Sequence, residues 1–431
     1  MTQSILSRTQ TRGEVGRTRP TAQAVVRHRG RYRSHRTQAD SAATTSFGAT
    51  DAGPVSLSAV NTPIRSAREI TLAAALALCA CAPPPATHDG PGPAPRFYHG
   101  STTGAESQFN PLTEILNEGF DILRSNSQDR HVFKRAFAAP AHNVLRSIVH
   151  PDAAFRLYGY RNALRNEWLP LTLSSDAGGG AWVPNYEYHL IGSGMVSVRM
   201  SEWFAQHGFE HPQLLSFATV MTAHFLNETM ENQQSVSPNE DAVTDLLLFD
   251  LGGIALWRLD AVQRLFSGPL QLTNWPGQPS IDLPSGTLEN TRQQFILRAS
   301  LPWTTRYKLF YDFGLSTLLG ATRELEGGSA LSAGVGVDAI DNPVVDARTG
   351  ARGATLRFKG GVFYDRRGSL LWSVLAGSRS DDAVVDVNVY PGILHLGSAR
   401  PGIWAQVPRG GGVRVGFATS WGVGVGHGPE R

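Results

Sequence analysis

The runs HLIGSGM (189–195), HFLNETMEN (224–232) and SPNEDAVTDLLLFDLGG (237–253) decide how this chain divides. They set His189, His224, Glu228, Glu231, Asp241 and Asp245 among apolar residues at helical spacing, which predicts helices over about 186–206, 213–231 and 239–266. Pro212 suits a helix start, and Ser237-Pro238-Asn239 supplies a capping side chain before the third helix. Each helix is long enough to bury a face. The charges that interrupt them are too many for ordinary membrane-spanning helices.

Upstream, Asn110-Pro111 reads as an N-cap with Pro at the first helical position. Leu112, Ile115, Leu116, Phe120 and Leu123 follow near helical spacing. A second helical segment is expected over roughly 140–168, broken at His150-Pro151. Downstream of Pro269 the period changes. FILRASLPW, YKLFYDFGLSTLLG, SALSAGVGVDAI, ATLRFKGGVFYD, SLLWSVLAGS, AVVDVNVYPGIL, IWAQVP and VRVGFATSWGVGVG alternate in the manner of strands, and Asp365-Arg366-Arg367-Gly368 reads as a hairpin connection. The fold class expected is α+β: an N-terminal helical domain (107–267) followed by an antiparallel β domain (285–427), a small barrel of about eight strands. Several runs approach the length of a tilted membrane strand, and Trp303, Tyr307, Tyr311, Trp372, Tyr390, Trp404 and Trp421 would suit interfacial girdles. A soluble β-sandwich with those aromatics in its core is the competing arrangement.

The net charge of +3 is carried by the leader. Residues 1–59 hold nine Arg and three acids, which leaves 30 basic and 33 acidic residues in the remainder. This leader has no apolar periodicity and reads as a disordered or mis-assigned extension. Its run RHRGRYRSHR (27–36) is the one feature that would suit RNA. With only three Lys against 36 Arg, the skew reads as a GC-rich coding sequence. No nucleic-acid partner is expected for the rest.

VNTPIRSAREITLAAALALCAC (60–81) has the basic start, short apolar run and small-residue end of a secretory signal. Its position some 60 residues in points to Val60 as an alternative start. Leu78-Cys79-Ala80-Cys81 resembles a bacterial lipobox, which would make Cys81 the lipidated residue. Ala82, in place of an Asp, directs such a lipoprotein to the outer membrane. A Pro/Gly-rich linker (82–106) follows, as a tether requires. The two cysteines allow neither a disulfide framework nor a Cys-based zinc site.

His224, Glu228 and Glu231 stand at i, i+4 and i+7, so they share a helix face, and Asp241 and Asp245 are one turn apart on the next helix. With His189 nearby, the six residues are candidates for catalysis. His224, Glu228, Glu231 and Asp245 are the weak candidates for a divalent metal. The competing reading is a buried polar network that fixes helix register, with Glu240 and Asp241 favoured at a helix start by its dipole. Gly192, Gly194, Gly252 and Gly253 are expected to allow close helix packing, since no Lys follows them as in a phosphate loop. Gly-x-Ser-x-Gly, His-Glu-x-x-His and Walker patterns are absent, and no cofactor is expected. Ser193, four residues after His189, is weak evidence for a nucleophile.

The order His189, Gly192-Ser193, Glu228, Asp241/Asp245, Gly252 resembles an uncharacterised domain of Gram-negative envelope proteins, over roughly 185–257. That family includes small lipoproteins with the same helical pattern and longer members with a β-rich region after it. The resemblance implies location and architecture and no catalytic role. The function expected is that of an outer-membrane-associated lipoprotein with a structural, assembly or lipid- or protein-binding role. Its partners would be outer-membrane lipid and an envelope protein. The alternative is an envelope hydrolase, metal-assisted, acting on lipid or lipopolysaccharide.

Overall fold

Helix formation starts where the sequence supplies a cap. The Asn110 side chain accepts hydrogen bonds from the Leu112 and Thr113 amides, both at 3.0 Å, and Thr113 Oγ1 accepts from the Asn110 amide in return. Pro111 then opens helix α1 (Pro111–Gly119). A computed structural model of the chain describes residues 96–125, 130–170, 182–232, 237–314, 316–345, 352–377, 383–408, 411–420 and 422–428. The leader, the signal with Cys79 and Cys81, and the linker up to residue 95 lie outside the described residues, as does Trp421.

The helical segment expected over 140–168 is divided into α2 (Ala138–Val149), α3 (Pro151–Tyr158) and shorter turns beyond Gly159. Pro151 starts a new helix because it bars His150 from helical geometry, and Gly159 takes a φ of 96°. In the central stretch the chain runs through a π-helical segment, Trp182–Ser193, directly into α4 (Gly194–Gln206). The long α5 (Pro212–Glu231) follows. A second π-helical segment, Thr244–Asp250, lies inside the third expected helix. Glycines let these elements approach: an added Cβ would sit 2.6 Å from the Phe295 ring at Gly192, 2.1 Å from Trp257 at Gly194 and 2.7 Å from the Leu190 carbonyl at Gly253. At Gly252 it would meet only an ordinary contact, so close packing explains three of the four glycines.

The strands are β1 (Thr273–Asn274), β2 (Ser280–Asp282), β3 (Thr287–Glu289), β4 (Gln294–Leu301), β5 (Thr304–Gly314), β6 (Ser316–Glu324), β7 (Ser329–Val345), β8 (Arg352–Arg366), β9 (Ser369–Gly377), β10 (Val385–Val389), β11 (Gly402–Val407), β12 (Arg414–Thr419) and β13 (Gly422–His427). They form one sheet of 13 strands in the order β1-β4-β5-β6-β7-β8-β9-β10-β11-β12-β13-β2-β3. All its pairs are antiparallel except β13 with β2, which is parallel. The expected hairpin is a two-residue turn, Arg367 and Gly368 at φ 52° and 82°, as a type I′ connection requires.

The expected antiparallel barrel of about eight strands is therefore corrected to a mixed sheet of 13, with no ladder joining its two edges among the described residues. Two of the eight sequence runs each fold into two strands, and three short strands before Gln294 carried no readable alternation. The sheet nevertheless curls. β1 and β2 are first and twelfth in order, so laid flat they would stand about 50 Å apart at the usual strand spacing. The few residues linking them reach at most about 20 Å. Contacts across the curl confirm it: Trp275 packs on Phe363, and Phe363 on Phe310, with ring centroids 5.4 Å apart in each case. Helix α1 ties down the connection between β3 and β4, its Asn117 Oδ1 accepting from the Arg292 amide at 2.9 Å.

Two apolar clusters set the layers. Ile296, Phe310, Leu318, Phe363, Leu375 and Tyr390 fill the inside of the curl together with Trp275 and Ala105. Phe295 and Phe313, on the other face of β4 and β5, pack against Met195, Val196, Val220 and Trp257 of the helical segment. The aromatic residues named for a girdle differ in burial. Trp303 and Tyr307 are exposed, whereas Trp404 and Tyr390 are buried and hydrogen-bonded, to Ser280 Oγ at 2.8 Å and the Pro276 carbonyl at 2.7 Å.

Candidate functional site

Five helical pieces converge behind Phe295: α1, the turn after it, the two π-helical segments and α5. π-helical turns are rare and recur where side chains must be re-aimed. Here they carry His189, Ser193, Asp245 and Asp250. All four are buried, as are Glu114, Glu118 and Asp121 from the first helix and its end, and His224, Asn227 and Glu228 from α5.

Asp250 lies between two imidazoles. His189 Nδ1 is 2.9 Å from Asp250 Oδ1, and His224 Nδ1 is 3.3 Å from Asp250 Oδ2. Each ring has a second carboxylate at its other nitrogen: His224 Nε2 is 2.6 Å from Glu118 Oε1, and His189 Nε2 is 3.5 Å from Asp245 Oδ2. Ser193 Oγ donates to Glu118 Oε1 at 3.0 Å and also lies 2.5 Å from His224 Nε2. To one side, Asp121 accepts from the Tyr188 hydroxyl at 2.6 Å and from Asn227 Nδ2 at 2.8 Å. Glu114 accepts from Gln293 Nε2.

These groups set one another's charge. Burial works against the charged form of both histidines, but Asp245 and Asp250 raise His189 to about 10, and Asp250 and Glu118 raise His224. Burial also pushes Glu118 up, yet the charge and hydrogen bond of His224 outweigh it and hold this carboxyl at about 2. Where no imidazole is close enough, burial wins. It raises Asp121 to about 7 and carries Glu114 well above the carboxylate range, helped by the Glu118 charge. Glu228 rises in the same way, with Glu231, Asp245 and Asp241 adding to the effect of burial. Asp245 rises too, although His189 opposes it.

Of the residues expected from sequence, His189, His224, Glu228 and Asp245 are brought together in the buried cluster. Glu231 and Asp241 are only half-buried and act on Glu228 by charge. Sequence reasoning passed over Glu118, Asp121 and Asp250, which make the closest polar contacts, and undervalued Ser193. A signal was available: Glu114 and Glu118 on α1 and Asp121 just past its end repeat the same i, i+4, i+7 spacing that singled out His224, Glu228 and Glu231.

Ser193, His224 and Asp250 stand in the order of a nucleophile, a base and an orienting acid. Two facts keep the chain closed. Ser193 has no solvent exposure, and its hydroxyl proton goes to Glu118. A cavity of about 440 Å³ lies elsewhere, against Arg96, His99, Glu106, Arg199 and Arg298, and none of the cluster residues lines it. The arrangement is a buried polar core that can hold charge or a cation. No protein-family model, curated protein or solved structure matches the chain.

Proposed function

We propose that this chain is an outer-membrane-associated envelope protein whose curled sheet sits in lipid, with a structural, assembly or lipid- or protein-binding role. One observation carries the reading, the apolar outer face of the sheet. On the outer face, Leu309, Leu319, Leu331, Val335, Val337, Phe358, Val362, Val415, Phe417 and Val425 are exposed. On the inner face of the sheet, Asp312 on β5, Ser332 on β7 and Ser373, Asn388 and Gln406 on β9 to β11 are buried beside the apolar cluster. A sheet that faces water places its polar side chains outward, whereas an apolar outer band is the pattern of strands set in a bilayer. Along β7, the outward residues Leu331, Ala333, Val335 and Val337 cover about 20 Å of strand. No helix among the described residues is long and apolar enough to cross a membrane, so any crossing would fall to the sheet.

The full chain expressed in a Gram-negative host should stay with the outer-membrane fraction through a carbonate wash. In vesicles containing brominated lipid, the fluorescence of exposed Trp303 should be quenched. A monodisperse protein in detergent-free buffer, with no quenching, would sink the reading. Mass spectrometry of the N-terminal peptide would separately decide lipidation at Cys81.

The envelope hydrolase ranks second, on the 2.5 Å contact between Ser193 Oγ and His224 Nε2. Labelling of Ser193 by a fluorophosphonate would promote it. The burial of that hydroxyl predicts none.

A further inference from the structure

The hydrogen-bond pattern around Asp250 leaves two buried polar atoms facing each other without a hydrogen bond. His224 Nε2 is directed at Glu118 Oε1, 2.6 Å away, which is where that ring's proton belongs. Its Nδ1 lies 3.3 Å from Asp250 Oδ2. Neither His224 Nδ1 nor Asp250 Oδ2 has a hydrogen-bond partner, although both are fully buried. Two buried polar atoms this close with no hydrogen bond between them are stabilised by positive charge held at that point, which a proton or a metal ion supplies. On the far side of the same carboxylate, His189 Nδ1 is 2.9 Å from Asp250 Oδ1.

From this geometry we propose that His189 Nδ1, His224 Nδ1 and Asp250 bind one divalent transition metal of the zinc class. One ligand atom from each of the three residues lies within 4.8 Å of the other two. Separations of 2.9 and 3.3 Å match the edges of a coordination polyhedron whose metal–ligand bonds are about 2.1 Å. Two imidazole nitrogens with carboxylate oxygen select zinc, manganese, iron, cobalt or nickel over calcium and magnesium. Glu118 and Asp245, at the outer nitrogens of the two rings, stand where metal-bound histidines keep the carboxylates that fix their orientation. Glu228 Oε2 is also buried without a hydrogen-bond partner. The ligands come from both π-helical segments and α5, so the ion would tie together three pieces of chain. With no solvent path to Ser193 or Asp250, the role is structural.

The test uses the purified full chain, stripped of metal and titrated with Zn²⁺ and with Co²⁺. About one equivalent of each should bind, and bound Co²⁺ should show visible absorption from nitrogen ligation. Asp250→Asn and His224→Gln should abolish both. Glu118→Gln should weaken Zn²⁺ binding about 10–100-fold and leave the Co²⁺ bands in place. Circular dichroism checks that each variant folds, and Glu118→Gln decides the matter if His224→Gln does not. A folded wild-type chain that binds no stoichiometric Zn²⁺ or Co²⁺ overturns the proposal. Binding that Asp250→Asn and Glu118→Gln leave unchanged overturns it equally.

Discussion

Arg298 on β4 and Asp365 on β8 form a buried ion pair across the inside of the curl, with Nη1 3.1 Å from Oδ2 and Nη2 also bound to Oδ1. Four strand steps separate them in the sheet, so the pair exists only because the sheet bends back on itself. Asp365→Ala leaves the guanidinium buried and uncompensated, which should cost about 3–5 kcal/mol in denaturant unfolding. Replacing both residues with leucine should recover most of that loss, because the desolvation of both charges disappears together.

Gly194 abuts the Trp257 indole so closely that Gly194→Ala puts a methyl on top of it. Neither partner can yield easily, since Trp257 is fully buried and also touches Phe97 and Phe266. The expected loss is at least about 1–3 kcal/mol, the usual range for overpacking, read as a lowered midpoint of unfolding. At Gly208, where an added Cβ meets nothing within 4 Å, only the φ of 74° resists substitution, and the loss should be smaller.

Asp312 sits on the inner face of β5. Burial raises it to about 8 from 3.8, against the opposing charges of Arg292 and Lys359. A carboxyl shifted upward favours the folded state while it is protonated. That contribution is complete below pH 3.8 and is lost as pH rises through about 8. Asp312→Asn keeps a neutral group at the site. The variant should therefore gain on the wild type between these limits and stay ahead above them, by a few kcal/mol at about 1.4 per unit. Melting temperatures at pH 5, 7 and 9 would show it, and parallel curves would refute the assignment.

Val335 is 58% exposed on the outer face of β7. If lipid covers that face, Val335→Arg should cost about 2–4 kcal/mol for the protein folded in phospholipid bilayers. If water covers it, the change should stay within about 0.5 kcal/mol. Reversible unfolding from vesicles in urea distinguishes the two.

The sequence by itself determined the local decisions. Asn110-Pro111 set the start of α1, the period-2 runs after Gln294 set the strands, and the glycines around His189 marked where segments touch. His189, His224, Glu228 and Asp245 were legible as members of one buried cluster because polar groups at apolar-face spacing must be satisfied inside. Tertiary structure alone decided the rest. Ladder hydrogen bonds to β4 and β13 made strands of residues 273–289, where alternation was too short to read. The sheet's curl decided which face of each strand is inside. Glu118 and Asp250 became the closest partners of the two histidines through contacts between segments far apart in the chain. Helix caps and periodicity act between neighbours in sequence, whereas strand pairing and burial of charge are settled between residues that only the folded chain brings together.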